Sequence, residues 1–411
     1  MHEKLMLARK DLFGAVERGF LSEAGTSAAI ARANIPDKAA QLVTSATDHP
    51  GLVLWERSAK SDVIGPGVVE ADLLGLLRDF GACIAVPLLY GQDFLERYPQ
   101  CLKDIWTFDH HAFPLLAIGV PAWAPLKSLK HGLVARNRLL DQMTALYRRI
   151  DQTQTGQAVD FGADMSDVSQ VALDRNTAFR KHAFSFRQRA STDLGLLIGQ
   201  NANTQPTVFW FILFIYSTPG LVQQLRAEVA PHITTTDGPE GLSITRFDHD
   251  AIAKDCQLLK SSFLETLRLT DEPTSIRHVS RPLTVVDGMH EHSIRPGTWI
   301  SVPHSVAHRD ASVFPSPQDF IPERFIEKDS VTGKRAARYG RLKPWGAGFG
   351  ICKGRTFAVK EVLAIGSAII MLWDMAPADA QGWIIPKMLP GTGVARPATD
   401  VRVVLKRRSG K

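Results

Sequence analysis

The chain has 411 residues, 45% hydrophobic and 22% charged. That is ordinary globular composition with ample length for a large core, and with no linker, low-complexity run or internal repeat it reads as a single domain over 1–411. A net charge of +6 and a pI near 9.1 admit nucleic acid, a membrane surface or an acidic protein as partner, but the basic residues are dispersed apart from Lys406-Arg407-Arg408, which argues against nucleic acid. Four cysteines, Cys83, Cys101, Cys256 and Cys352, show neither Cys-x-x-Cys nor zinc-like spacing and fit a reducing compartment.

Met1 to Arg18 is charged and helix-like, so neither a signal peptide nor an anchor is expected there. The longest apolar stretch, Val208 to Tyr216, is too short to span a bilayer. Met1 to about Lys130 reads as consecutive helices: Ala71 to Tyr90 is apolar at helical spacing and broken near Pro87, and Phe94 to Phe108 is amphipathic. Asp109-His110-His111 suggests metal ligands, but adjacent histidines point to different helix faces, so a polar loop is expected. Helix resumes from Leu126 to about Gln152.

Asp193 to Tyr216 is apolar at both ends and polar at its midpoint, the pattern of a central buried helix with an interruption. Pro206 removes an amide donor and crowds the carbonyl of Ala202, so the turn holding Asn203 and Thr204 should be opened or kinked. Thr204 is then either a threonine bonded to its own backbone or part of a polar notch that delivers protons into an apolar cavity. The pattern alone leaves both open. Ala251 to Thr270 predicts an amphipathic helix that places Glu265 and Arg268 on one face, with flanks apolar enough to bury it. Short strands follow at Leu283 to Val286, Ser293-Ile294 and Thr298 to Val302, and a last one at Asp400 to Leu405. His308-Arg309-Asp310 imitates a kinase triplet without the accompanying glycine loop or lysine strand.

In Pro344-Trp345-Gly346-Ala347-Gly348-Phe349-Gly350-Ile351-Cys352-Lys353-Gly354-Arg355, glycines alternate ahead of one cysteine, and an apolar helical pattern starts at Thr356. A cysteine on a glycine loop at a helix N-terminus is favoured as thiolate and suits a soft or redox-active metal. The alternative is a buried cysteine beside a glycine turn.

The spacing aromatic-Gly-x-Gly-x-x-x-Cys-x-Gly resembles the haem-ligand loop of cytochromes P-450. Glu265-x-x-Arg268, Pro322-Glu323-Arg324-Phe325 and Ala202-Asn203-Thr204 resemble three further motifs of that family, and Asn203 to Trp210 is similar to the branch of sterol 7α-hydroxylases and prostacyclin synthase. The resemblance covers Asp193 to Leu405. It implies a mainly α fold with small β-sheets, lacking the N-terminal anchor and early sheet strands. Residues 193–216 would be the distal haem helix, 251–270 the Glu-x-x-Arg helix, and 344–374 the haem-ligand loop with its following helix.

The cofactor implied is haem b with Cys352 as axial thiolate, bordered by Trp345, Gly346, Gly348 and Gly354, with Arg277 on a propionate. Gly350 stands where many members carry a second propionate partner. Thr204 and Asn203 would be catalytic, although an amide cannot release a proton as the usual acid does. Glu265, Arg268 and Arg324 would form a buried charge triad. The pocket is expected between Asn201, Thr204 and Val208 on one side and Thr274 to Ile276 on the other, closed by the loop Leu389 to Val394.

The implied activity is monooxygenation of a lipophilic terpenoid, sterol or polyketide, as in secondary metabolism, by a monomer. Electrons would come from an NADPH-dependent reductase docking on Lys334, Arg335, Arg338, Arg341, Lys343, Lys353 and Arg355. Alternatives are a haem-thiolate isomerase or dehydratase acting on a peroxide, and an inactive, truncated haem protein. The Trp-x-x-x-Arg helix of the family has no counterpart; Trp55 and Arg57 have the wrong spacing. Family members usually sit on the endoplasmic reticulum membrane; without an anchor this chain is expected to be cytoplasmic or peripheral.

Overall fold

Six consecutive residues, Val208 to Leu213, have no solvent exposure. A helix apolar on every side must be enclosed on every side, and the computed structural model, which describes residues 2–45, 51–391 and 393–410, is built around it. The central helix is two pieces, Phe186–Asn201 and Thr204–Ser217, parted at Ala202-Asn203. This is the break expected from Pro206. The first piece begins with a capping box, the Ser185 hydroxyl accepting from the Gln188 amide while the Gln188 side chain reaches back, which satisfies two otherwise orphaned donors.

Around this axis pack the helices Leu73–Ala85, Lys127–Gln154, Gln257–Thr270 and Arg355–Leu372, with Cys101–His111 packed in turn against Lys127–Gln154. The expected helix over 251–270 is divided at Cys256 into His249–Asp255 and Gln257–Thr270. Glu228 causes the restart: its carboxylate accepts the Leu258 and Leu259 amides at 2.7 and 2.8 Å, a cap supplied from thirty residues upstream.

The front of the chain is not purely helical. Asp62–Gly65 and Val68–Asp72 are strands, and they share an antiparallel four-stranded sheet with Arg402–Arg407 and Trp373–Pro377. The pairing partner lies more than three hundred residues away, so periodicity within the front could not show it. Asp109, His110 and His111 form the last turn of the helix Cys101–His111, not a loop, because Ile105, Trp106 and Phe108 on the same turns are buried. Among the described residues the helical stretch Leu73–Tyr90 is long and apolar enough to cross a membrane by length and composition, and 83% of it is buried inside the fold. The strands Leu283–Val286, Glu291–Ile294, Trp299–Pro303 and Arg402–Arg407 occur where alternation placed them.

Candidate functional site: a cysteine loop facing an opened helix

The loop before Cys352 closes on itself. The Cys352 amide donates to the Trp345 carbonyl at 2.9 Å and the Ile351 amide to the Gly348 carbonyl at 3.1 Å. Gly346 and Gly348 lie at φ +71° and +67°, which a side chain would strain. Cys352 is the one exposed cysteine of the four. Burial of its sulfur pushes the thiol up, while the Gly354 and Arg355 amides and the Arg355 charge pull it down; those groups would favour a thiolate once a cation shares the sulfur. Arg277 lies over the same loop, donating to the Ala347 carbonyl at 2.9 Å. A Cβ on Gly348 would come within 3.2 Å of its guanidinium. The Trp345 indole donates to the Tyr339 hydroxyl at 3.1 Å.

Cys352 opens into a cavity of about 780 Å³, within the range of small-molecule and cofactor sites. The far wall is the interrupted turn of the central helix, where Asn203, Thr204 and Thr207 face the cavity; Thr274 to Arg277 and Phe357 form other walls. Asn201 and Val208, expected here, instead point into the core: both have no exposure, and Asn201 donates to the Leu197 carbonyl. The opened turn resets the helical phase, so Gly199, Gln200, Asn203 and Thr207 line the cavity. Of the expected loop over 389–394, Gly393 and Val394 line it; Thr392 lies outside the described residues.

Asn203 is tied down. Its Oδ1 accepts the Val394 amide at 3.2 Å, and its backbone carbonyl accepts the Thr207 hydroxyl at 2.8 Å. Gly393 makes room: a Cβ there would stand 2.5 Å from Asn203 Oδ1. Thr204 is the first residue of the second helical piece, 8% exposed, and its exposure is to the cavity.

Glu265, Arg268 and Arg324 meet behind the loop. Arg268 donates to both Glu265 oxygens at 2.8 Å, the planar fork matching the carboxylate. Arg324 Nε donates to the same two oxygens at 2.9 and 3.0 Å. Glu265 and Arg268 are fully buried. The spare guanidinium donors hold carbonyls: His308, Pro317 and Asp319 for Arg268, and Pro315, Ser316 and Asp319 for Arg324. His308 extends the network to the cysteine loop, its Nε2 accepting the Lys343 amide at 3.1 Å. The kinase-like triplet is thus a structural tie: burial pulls His308 down to about 4 and keeps it neutral, and Arg309 pairs with Glu272.

Asp193, Glu361 and Asp271 are among the buried polar groups that the sequence reading did not single out. Asp193, at the start of the expected distal helix, receives Arg175 and the Tyr147 hydroxyl. Glu361 is fully buried nine residues after Cys352 and faces the Gln205 amide; burial pushes it up to about 8, with Gln205 pulling the other way. A glutamate inside the apolar run Phe357 to Leu372 was a legible signal. Asp271 closes the Arg268 helix, lines the cavity, and has a buried Oδ1 without a partner; nothing local announces its burial. Among the described residues no group of three or more His, Cys, Asp and Glu gathers as a metal site. Trp55 donates to the Leu42 carbonyl and packs edge-on against Phe80, away from the cavity.

These residues fit a haem: one cysteine sulfur opens into a largely apolar cavity, with Arg277 at its edge for an anionic group and a loop whose glycines keep side chains out of the way. A second cavity of about 910 Å³ touches the same loop at Ile351 and Arg355, with Lys254, Lys260, Lys343 and Lys360 around it.

Residues 90–401 match the family model described as Cytochrome P450. A cytochrome P450 monooxygenase of Gibberella zeae is 26% identical over 81% of this chain and 62% of its own length. The 25-hydroxycholesterol 7-alpha-hydroxylase of Rattus norvegicus is 26% identical over 79% of this chain and 76% of its own length. The chain therefore spans about six tenths of the first relative. The structure of retinoic acid-bound cyanobacterial CYP120A1 superposes with a TM-score of 0.69 at 17% identity, covering 97% of this chain and 78% of that one; at that identity the likeness concerns the fold. With the matched region enclosing the cysteine loop, the opened helix and the Glu265 triad, this chain belongs to the cytochrome P450 family.

Proposed function

We propose that the chain is a haem-thiolate monooxygenase that inserts one oxygen atom of O2 into a lipophilic terpenoid, sterol or polyketide. The observation that carries this reading is that Cys352 and Thr204 line one cavity. Haem b, when bound, supplies dioxygen activation, and a cysteine thiolate ligand favours O–O cleavage.

The residues of the chain do the rest. Cys352 presents its sulfur with the Gly354 and Arg355 amides turned toward it. Arg277, the cation nearest Gly348 and Gly350, would hold a propionate. Thr204 keeps its hydroxyl free toward the cavity, where it can orient a water and pass on a proton. Asn203 anchors the opened turn through Val394 and does not act as an acid. The apolar walls bind the substrate and exclude bulk water. The rat relative's name supports a sterol-like lipophile. Lys343 and Arg355, around the second cavity, would receive an acidic reductase together with Lys353.

Asn203 also supports a second reading, a haem-thiolate isomerase or dehydratase that rearranges a peroxide and needs no proton relay. Hemin-loaded wild type should show the red-shifted reduced-CO Soret band of thiolate haem, and Cys352→Ala should lack it; a variant that keeps the band refutes the ligand assignment. NADPH-dependent product that Thr204→Ala diminishes supports the monooxygenase. Turnover of a fatty hydroperoxide without reductase selects the second reading.

A further inference from the structure

At one end of the cavity two polar groups stand on either side of Val394. Asn203 holds the Val394 amide through Oδ1, which leaves its Nδ2 as a donor on the exposed side of the turn. Asp271 pairs with Val394 as an isolated antiparallel bridge; the Glu272 amide donates to the Gly393 carbonyl at 2.6 Å and the Ala395 amide to the Thr270 carbonyl at 2.8 Å, so both backbones are fixed. The Asp271 side chain has no such use. The residue is 5% exposed and lines the cavity, Oδ1 has no hydrogen-bond partner, and among the described residues no cation or amide reaches the carboxyl. A buried polar group without a partner is costly to folding. In a cavity meant to take a ligand, it awaits one.

We propose that Asp271 and Asn203 form a polar clamp that selects lipophilic substrates carrying a hydroxyl group. A hydroxyl can donate to the Asp271 oxygen and accept from Asn203 Nδ2, using both groups. A carbonyl or ether oxygen can only accept, so it leaves an Asp271 oxygen without a donor, and a hydrocarbon leaves both groups unmet. A cationic amine would enter a cavity lined by Arg277 and Lys353, whose charge opposes it. Burial, with no cation beside it, pushes the Asp271 carboxyl well above the usual carboxylate range, which lets it also serve as a donor. A site built to hydrogen-bond a substrate group discriminates strongly against the analogue that lacks it. This clamp rests on the proposed function, because it presumes that the cavity accepts a lipophile.

Equilibrium dialysis of the purified, hemin-loaded full chain tests it with two probe series: 5α-androstan-17β-ol, its methyl ether, its 17-amine and 5α-androstane; and farnesol, its methyl ether and farnesene. Wild type should retain the alcohol about tenfold or more above the ether and hydrocarbon. Asp271→Leu should lose that preference and unfold at the same or a higher temperature, since a residue kept for binding costs stability. Asp271→Asn should keep part of the preference. Equal retention of all members of both series by wild type, preference for the amine, or an unchanged preference in Asp271→Leu overturns the clamp. A lower melting temperature for Asp271→Leu does so too, by exposing a structural role. Dialysis requires no turnover, so its outcome is separate from that of the Soret measurement, which tests the haem itself.

Discussion

Replacing Glu265 by alanine removes the carboxylate shared by two guanidinium groups, one fully buried and the other nearly so. Arg268 would keep its three carbonyl acceptors, so it would not be wholly unsolvated, but both arginines would lose their counter-charge. Breaking a buried pair from one side typically costs about 3–5 kcal/mol, against about 5–15 kcal/mol for a whole folded chain. With an unfolding entropy of about 2.1 cal/mol/K per residue, 411 residues give roughly 0.9 kcal/mol/K, so the melting temperature should fall by about 3–6 °C. Glu265→Gln retains one acceptor oxygen and should lose about half as much.

A second readout follows from the path Arg268 to His308 carbonyl, His308 to Lys343 amide. Loosening it should free the cysteine loop, and because the other three cysteines are buried, the alkylation rate of the native protein reports on Cys352 alone. An alanine variant melting within 1 °C of wild type, with unchanged alkylation, would refute the reasoning that the triad holds the loop.

His308 makes stability depend on pH. Its folded pKa of about 4 lies below the unfolded value near 6.5, so the unfolded chain binds the extra proton between them; this contribution is complete above about pH 6.5 and is lost as pH falls toward 4. His304, Arg268 and Arg309 add to burial in this effect. His308→Gln should flatten that arm of a denaturant-derived stability profile, and an equally steep arm in the variant rules the histidine out. Gly393→Ala places a methyl group 2.5 Å from Asn203 Oδ1 and should cost about 1–3 kcal/mol in urea unfolding. Asn203→Ala in the same chain should relieve much of that cost, since the two residues share one contact; strictly additive losses would show that they do not.

Much of the site could be read because its determinants are local. Glycines at fixed offsets before Cys352 specify a loop with positive φ whatever surrounds it, and Pro206 opens the helix at Ala202-Asn203 by removing one donor. Glu265 and Arg268 share a face because they are three residues apart on a helix. What escaped was set by partners distant in the chain. The strands at 62–72 exist because Arg402–Arg407 lies beside them, the helix restart at Gln257 because Glu228 caps it, and Asn203 points where it does because Val394 and Gly393 arrive there.

By itself the sequence determined where the central helix breaks, that the glycines ahead of Cys352 form a loop, and that Glu265 and Arg268 share a face, since short-range backbone chemistry decides each of these; the third charge, Arg324, comes from 59 residues away and was expected only through the family resemblance. Only the tertiary structure decided which residues flank the opened turn, that Asn201 and Val208 face the core, and that Asp271 is left buried and unpartnered at the cavity wall. Burial is a property of what packs against a residue, and in this chain the packing comes from segments tens to hundreds of positions away.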